Sequence, residues 1–291
     1  MPEGDTIHKI AAQLGPRLVG KRLERVTTQG LVRDIAGRTV VSVIPHGKHL
    51  VVTLDDGAYL RMHLGMNGRV RFHDRAAGEA ALARTSPGRV SLALTTVDGV
   101  YLWLTTPTVE ISHRRAPMRG QALATLGPDV LADSFDSRQA AARAVVRPNR
   151  TLADILLDQR VAAGIGNVYK SEVLFLREVD PRTRVGALSE RELDDLFTTG
   201  RELMLDNLGH GPRTTRQRLA GDAPGDDRYF VYGRTDKPCR RCGSPIECYQ
   251  LGDPVVRWTW SCPRCQPLRT RAAGVDRPEG DPGGTSRGDN R

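Results

Sequence analysis

LLDQRVAAGIGNVYKSEVLF, residues 156–175, joins two apolar segments of helical spacing through a turn that contains two glycines. Thr151 with Asp154 predicts the start of the first helix, over TLADILLDQRVAAG, and Asn167 the start of the second, NVYKSEVLFLREV, which stops ahead of Asp180-Pro181. GIGN (164–167) lies between them, where glycine permits a tight turn. The second helix would then offer unpaired backbone N–H groups and the Asn167 side chain at its positive end, which suits a phosphate. The same residues also suit a plain helical hairpin with a glycine C-cap.

Further along the chain, Ser189 with Glu192 forms a capping box for SERELDDLFTTGRELMLDNL, in which Leu193, Leu196, Phe197, Leu203 and Met204 share one face. Cys239-x-x-Cys242 and Cys262-x-x-Cys265 follow, separated by nineteen residues. Two such pairs supply the four thiolates of a structural zinc site, with the intervening VVRWTWS read as part of a hairpin. A site closed by four cysteines leaves no open position for catalysis, so any chemistry lies elsewhere. Cys248 falls outside the spacing and reads as a spare thiol. Residues 257–271 (RWTWSCPRCQPLRTR) carry four arginines and no acid, a local asymmetry that favours nucleic acid. The segment from about 272 has no aromatic residue and is expected to be a disordered tail.

Upstream, the composition changes at LGPD (126–129), before which β-branched alternation dominates. VVSVI closed by Pro45, HLVVTL turning through Asp55–Gly57 into AYLRMHL, and RVSLALTTV turning at Asp98-Gly99 into VYLWLT predict a β-rich domain built on hairpins. Ile7, Ile10, Ala11, Leu14 and Leu18 predict an amphipathic helix ahead of it, ending near Gly15-Pro16. PHGKHLVV (45–52) places Lys48 between a loop and a strand, in a chain whose only other lysines are Lys9, Lys21, Lys170 and Lys237. His63, in RMHLGMNG, stands on a strand, where a histidine is commonly a core residue. The chain begins MPEGDT; removal of Met1 would leave the secondary amine of Pro2 as a free nucleophile beside Glu3. The same pair also fits an ordinary helix entry, with Glu3 near the positive end and Asp5 or Thr6 as cap.

Across 291 residues, 43 Lys and Arg against 34 Asp and Glu give a net charge of +9, which suits a polyanionic partner. No secretory signal opens the chain, and no stretch approaches the roughly 18 consecutive apolar residues of a membrane span. A cytoplasmic protein with reduced thiols is expected.

Taken in order, MPEGDT, GKHL, HLGMNG, LGPD, LLDQRVAAGIGNVYKSEVLF, VYGR and CRRCG…CPRCQ resemble the formamidopyrimidine-DNA glycosylase / endonuclease VIII family over residues 1–268. The resemblance implies an α+β, two-domain fold: an N-terminal β-sandwich with flanking helices, and a helix-two-turn-helix domain with a zinc-finger β-hairpin. Its boundaries fall at 1–120 for the catalytic domain, 121–133 for a linker, 134–232 for the helical domain, 233–268 for the finger and 269–291 for the tail. The implied protein is a monomeric DNA glycosylase and abasic-site lyase of base excision repair, with one structural Zn²⁺ on Cys239, Cys242, Cys262 and Cys265. Its partner is double-stranded DNA containing damaged bases or abasic sites, bound between the domains, and it has no membrane partner.

Carried over motif by motif, Pro2 attacks C1′ of the damaged nucleotide and Glu3 is the general acid/base at the sugar. Lys48 binds phosphate near the lesion and assists sugar opening. Asn167 and Arg257 clamp the phosphates around the flipped nucleotide, His63 adds a backbone contact, and Met66 holds the wedge position. The MPEGDT opening resembles the endonuclease VIII side, whereas the formamidopyrimidine side usually opens MPELPE and carries a DPRRFG-type stretch. TTPTVEI (105–111) has no such Arg and Phe, which favours oxidised pyrimidines over 8-oxoguanine and formamidopyrimidines. The other readings are an 8-oxoguanine/formamidopyrimidine glycosylase of the same family, whose wedge position HLGMNG keeps at Met66, a lyase confined to abasic sites, and a non-catalytic zinc-ribbon DNA-binding protein.

Overall fold

The computed structural model describes residues 2–32, 34–106, 108–112, 121–217 and 228–270. Helix α1 (Gly4–Leu18) buries Ile7, Ala11, Leu14 and Leu18 on one face, as the periodicity predicts. It runs past the expected stop, with Pro16 inside it. Leu18, fully buried beyond the proline, favours the additional turn.

Among the described residues nine strands follow: β1 (Arg25–Thr28), β2 (Leu31–Val32), β3 (Val40–His46), β4 (His49–Leu54), β5 (Tyr59–His63), β6 (Arg69–Asp74), β7 (Val90–Thr95), β8 (Gly99–Leu104) and β9 (Thr108–Ser112). They form two antiparallel sheets, ordered β2-β1-β7-β8-β6 and β3-β4-β5-β9. Val26, Leu92, Leu94 and Trp103 of the first sheet meet Leu50, Val52, Leu60 and Met62 of the second in one core, shared with α1. Both expected hairpins are present: β4 pairs β5 with His49 opposite His63, and β7 pairs β8 with Leu94 opposite Tyr101. Helix α2 (Arg75–Arg84) was not foreseen. Its apolar side chains are mostly alanines, too weak a pattern to read, yet Ala81 and Leu82 cover Val90, Ala93, Val100 and Leu102. That cover leaves β7 and β8 buried on both faces.

The second half is helical, with α3 (Gln121–Ala124), α4 (Ser137–Val145), α5 (Leu152–Leu157), α6 (Asn167–Leu176) and α7 (Glu190–Leu205). Helix α5 is shorter than TLADILLDQRVAAG predicts. The Asp158 carboxylate accepts the N–H and the guanidinium of Arg160, holding the chain in a turn after Leu157. The capping box on α7 forms as read: Ser189 Oγ accepts the Glu192 N–H at 3.3 Å and Glu192 returns to the Ser189 N–H at 2.8 Å. Strands β10 (Glu247–Leu251) and β11 (Arg257–Ser261) make the final hairpin, seated on Phe175 of α6 through Val231, Ile246 and Cys262. Among the described residues no helix is long and apolar enough to cross a membrane.

Candidate active site

The first residues of the chain are fixed by the second domain. Glu3 is fully buried, and its carboxylate spans the start of α6: Oε2 accepts the Gly166 N–H at 2.8 Å and Oε1 the Val168 N–H at 2.9 Å. The N–H groups read from GIGN as a phosphate site are therefore engaged by a carboxylate of the same chain. A helix N-terminus favours either anion. Gly166 is required by this approach, because a Cβ there would lie 2.3 Å from Glu3 Cδ. The Gly4 N–H donates to Gly164 O at 3.0 Å, so both strands of the contact are tied. Glu3 is also the residue that precedes α1, and no side-chain cap bond forms there; Asp5 instead takes two bonds from Arg213, at 2.9 and 2.5 Å. Arg213 stands 3.7 Å from Glu3 and stacks over the Tyr169 ring at 5.1 Å.

Pro2 faces a cleft of about 420 Å³ between the domains, whose walls include Lys48, His63, Met66, Asn167 and Arg257. Lys48 comes from the β3–β4 turn, where Gly47 has φ +55° and a Cβ would lie 2.6 Å from that of Ala163. Burial draws the Lys48 ammonium down to about 8; Glu3 opposes this, while Arg257 and Arg213 add to it. His63 is half-buried, with its Nδ1 accepting the Gly65 N–H at 3.2 Å. Burial together with Lys48 and Arg61 lowers its pKa, so it is neutral at pH 7. Met66 is 69 % exposed on the cleft rim. Thr108, in the TTPTVEI stretch, lies on β9 opposite His63.

Opposite this wall, Asn167 at the first position of α6 donates from Nδ2 to the Trp258 carbonyl at 2.9 Å. Arg257 precedes that tryptophan on β11 and is exposed. The β3–β4 turn is held by Asp129 of LGPD, which accepts the Gly47 N–H at 2.9 Å, His8 Nε2 at 2.8 Å and the Leu131 N–H at 2.9 Å. Burial raises the Asp129 pKa, but His8 and the two N–H donors outweigh it and hold the carboxyl below its ordinary value.

Two family models match the chain: the formamidopyrimidine-DNA glycosylase N-terminal domain over residues 1–107 and the formamidopyrimidine-DNA glycosylase H2TH domain over residues 126–218. The chain belongs to the formamidopyrimidine-DNA glycosylase / endonuclease VIII family. The "Endonuclease 8 2" of Mycobacterium bovis is 38 % identical over 272 residues, covering 91 % of this chain and 100 % of that protein. The "DNA-(apurinic or apyrimidinic site) lyase Nei2" of Mycolicibacterium smegmatis is 35 % identical over 269 residues, covering 91 % and 99 %. The fold is that of the Lactococcus lactis formamidopyrimidine-DNA glycosylase solved with abasic-site DNA, at a TM-score of 0.72 and 22 % identity, covering 91 % of this chain and 99 % of that one.

The glycosylase fold therefore gathers Pro2, Lys48, His63, Met66, Asn167 and Arg257 around one cleft, with Glu3 beneath it. The four cysteines form a separate cluster, with all four sulfurs within 4.8 Å of one another. Cys239 to Cys265 is 3.9 Å and Cys242 to Cys262 is 3.5 Å, near the edge of about 3.8 Å that a tetrahedron of 2.3 Å Zn–S bonds requires. Cys248 lies on β10 opposite Trp260, outside the cluster as expected. Arg213 and Lys170 were not picked out from the sequence. Arg213 is one arginine among many, and only the folded chain brings it to Glu3. Lys170 carried a signal in the rarity of lysine.

Proposed function

We propose that this member of a DNA glycosylase and lyase family removes damaged bases and cleaves the resulting abasic site through a Schiff base on Pro2. One observation carries the reading: Pro2 opens onto the cleft while the adjacent Glu3 is held by two backbone N–H groups of the opposite domain. A terminal amine titrates near 7.7–8.0, so part of it is neutral and nucleophilic at pH 7. Its lone pair attacks C1′ and the base departs with its bonding electrons and a proton. Loss of the proton on the attached nitrogen and opening of the C1′–O4′ bond, with O4′ protonated by Glu3, give an iminium that acidifies the C2′–H, so that loss of this proton expels the 3′ phosphate and a second elimination expels the 5′ phosphate. Glu3, whose oxygens each keep a second lone pair, serves the proton transfers at the sugar. Lys48, His63, Asn167 and Arg257 hold backbone phosphates, and Met66 enters the gap left by the flipped nucleotide, whose extrusion costs a few kcal/mol.

Cys239, Cys242, Cys262 and Cys265 would hold one Zn²⁺, which closes the hairpin and takes no part in the reaction. Oxidised pyrimidines are the favoured substrates, since TTPTVEI offers no Arg and Phe to fill the helix; single-turnover rates should place thymine glycol ahead of 8-oxoguanine opposite cytosine. The Mycolicibacterium smegmatis relative is named for lyase activity alone, which supports a second reading restricted to abasic sites. A panel of single-lesion duplexes beside an abasic duplex separates the two.

Borohydride trapping tests the mechanism. A covalent adduct should form with abasic DNA and map to Pro2, and retained Met1 or an N-terminal tag should abolish both adduct and cleavage while zinc content persists. An adduct on Lys48, with a blocked N-terminus still active, overturns it.

A further inference from the structure

Lys170 is fully buried in the first turn of α6, and the steps above make no use of it. An ammonium group carries three donors and no acceptor. Here the three acceptors come from two separate parts of the chain: Asn167 Oδ1 at 2.7 Å on the same helix, Thr259 Oγ1 at 2.7 Å and the Trp258 carbonyl at 3.3 Å on β11. Asn167 crosses the same boundary, its Nδ2 donating to that carbonyl at 2.9 Å. Lys170, Asn167 and Trp258 thus form a closed ring of hydrogen bonds between α6 and the strand that begins with Arg257.

The ring fixes which way the Asn167 amide points. A lysine ammonium can only donate, so it holds Oδ1 inward and turns Nδ2 toward the hairpin and cleft. Nδ2 has two protons; one meets Trp258, and the other serves an anion in the cleft that Asn167 lines. We propose that Lys170 is a positioning residue that sets the orientation of Asn167 and its spacing from Arg257, so that helix and hairpin meet one DNA backbone segment as a preformed clamp. This rests on the cleft being the DNA site. Burial draws the Lys170 ammonium down to about 7, against the raising effects of Glu3 and Asp154, so the three acceptors are the partners that favour its charged form in place of solvent. Preformed geometry of this kind lowers the ordering cost of binding.

The test uses the full-length zinc-loaded protein and a duplex containing a tetrahydrofuran abasic analogue, which binds without being cleaved. Lys170→Met should raise Kd by about tenfold or more, as expected for losing hydrogen bonds to a charged group. Single-turnover cleavage of a true abasic site at saturating DNA should stay within about twofold of wild type, since only binding is affected. In a cycle with Arg257→Ala, the double variant should lose less than the product of the two single losses, because the residues act on one clamp. Thr259→Val, which removes one acceptor at nearly constant shape, should shift Kd in the same direction and decides the matter if Lys170→Met does not fold. Unchanged Kd in the variants with a lowered Tm overturns the inference, as does strict additivity with Arg257→Ala. Failure of the wild-type protein to bind the abasic duplex or to trap with borohydride would instead sink the functional reading itself.

Discussion

Gly166 and Lys48 show how closely the chemistry depends on single atoms. A Gly166→Ala methyl would occupy the space of the Glu3 carboxylate, 2.3 Å from its Cδ. Displacing a catalytic group by an ångström costs on the order of 10²-fold in rate, so excision should fall by about that factor in single-turnover assays while zinc content is retained. Lys48 predicts a pH dependence of opposite sign to that of the nucleophile. It is charged below about 8 and neutral above, among Glu3, Arg257, Arg213 and a His63 already neutral in that range. Affinity for a tetrahydrofuran duplex should therefore decline as pH rises through about 8, and Lys48→Arg, charged throughout, should flatten the decline. A wild-type profile level to about pH 10, where an ordinary lysine titrates, would show that Lys48 does not lose its charge near 8. The sequence singles out Pro2, Glu3 and Lys48 through short local motifs that resemble the family's. It could not show that Glu3 caps a helix 163 residues away, because the partners are backbone N–H groups, which have no sequence signature.

In the proposed reading, DNA affinity depends on helix α6 and the hairpin. Arg257→Ala should weaken binding for all duplex sequences and reduce the salt slope by about one, the loss of one phosphate contact. Sequence-selective weakening would mean that Arg257 reads bases. Cys262→Ser should release zinc and, by unpinning β11, impair binding in the same sequence-independent way, whereas Cys248→Ser should leave metal content intact. Full zinc content in Cys262→Ser would sink the four-cysteine assignment. These parts were also the easiest to read ahead of the structure. The α7 capping box and both β hairpins carry turn and cap chemistry within a few residues, so local rules suffice for them. Helix α2 and the early end of α5 escaped, the first because its apolar face is mostly alanine and the second because an aspartate side chain, rather than glycine or proline, ends the helix.

The two domains meet through buried polar contacts rather than through one continuous apolar core, since the sandwich and helical clusters are separate. Asp129 is the clearest of these contacts, joining His8 of α1 and the Gly47 turn to the helical half. Its carboxyl is held below the ordinary range, so its contribution to stability is complete above about pH 4 and is lost as pH falls through the folded value. Asp129→Asn should cost about 1–3 kcal/mol at neutral pH, measured by denaturant unfolding, and the two proteins should converge in acid. A constant difference at all pH values would show that the charge is irrelevant. The link from Glu3 to Gly166 and Val168 bears on how the protein comes into being. Synthesis delivers Pro2 and the Glu3 carboxylate first and the N–H groups that hold that carboxylate more than a hundred and sixty residues later, with Arg257 of the hairpin later still. At about 5–20 residues per second, the nascent chain passes many seconds with Glu3 made but its partners still to come. A chain that ends before Gly166 lacks the donors that hold the Glu3 carboxylate, so the order of translation sets when this corner of the fold can assemble.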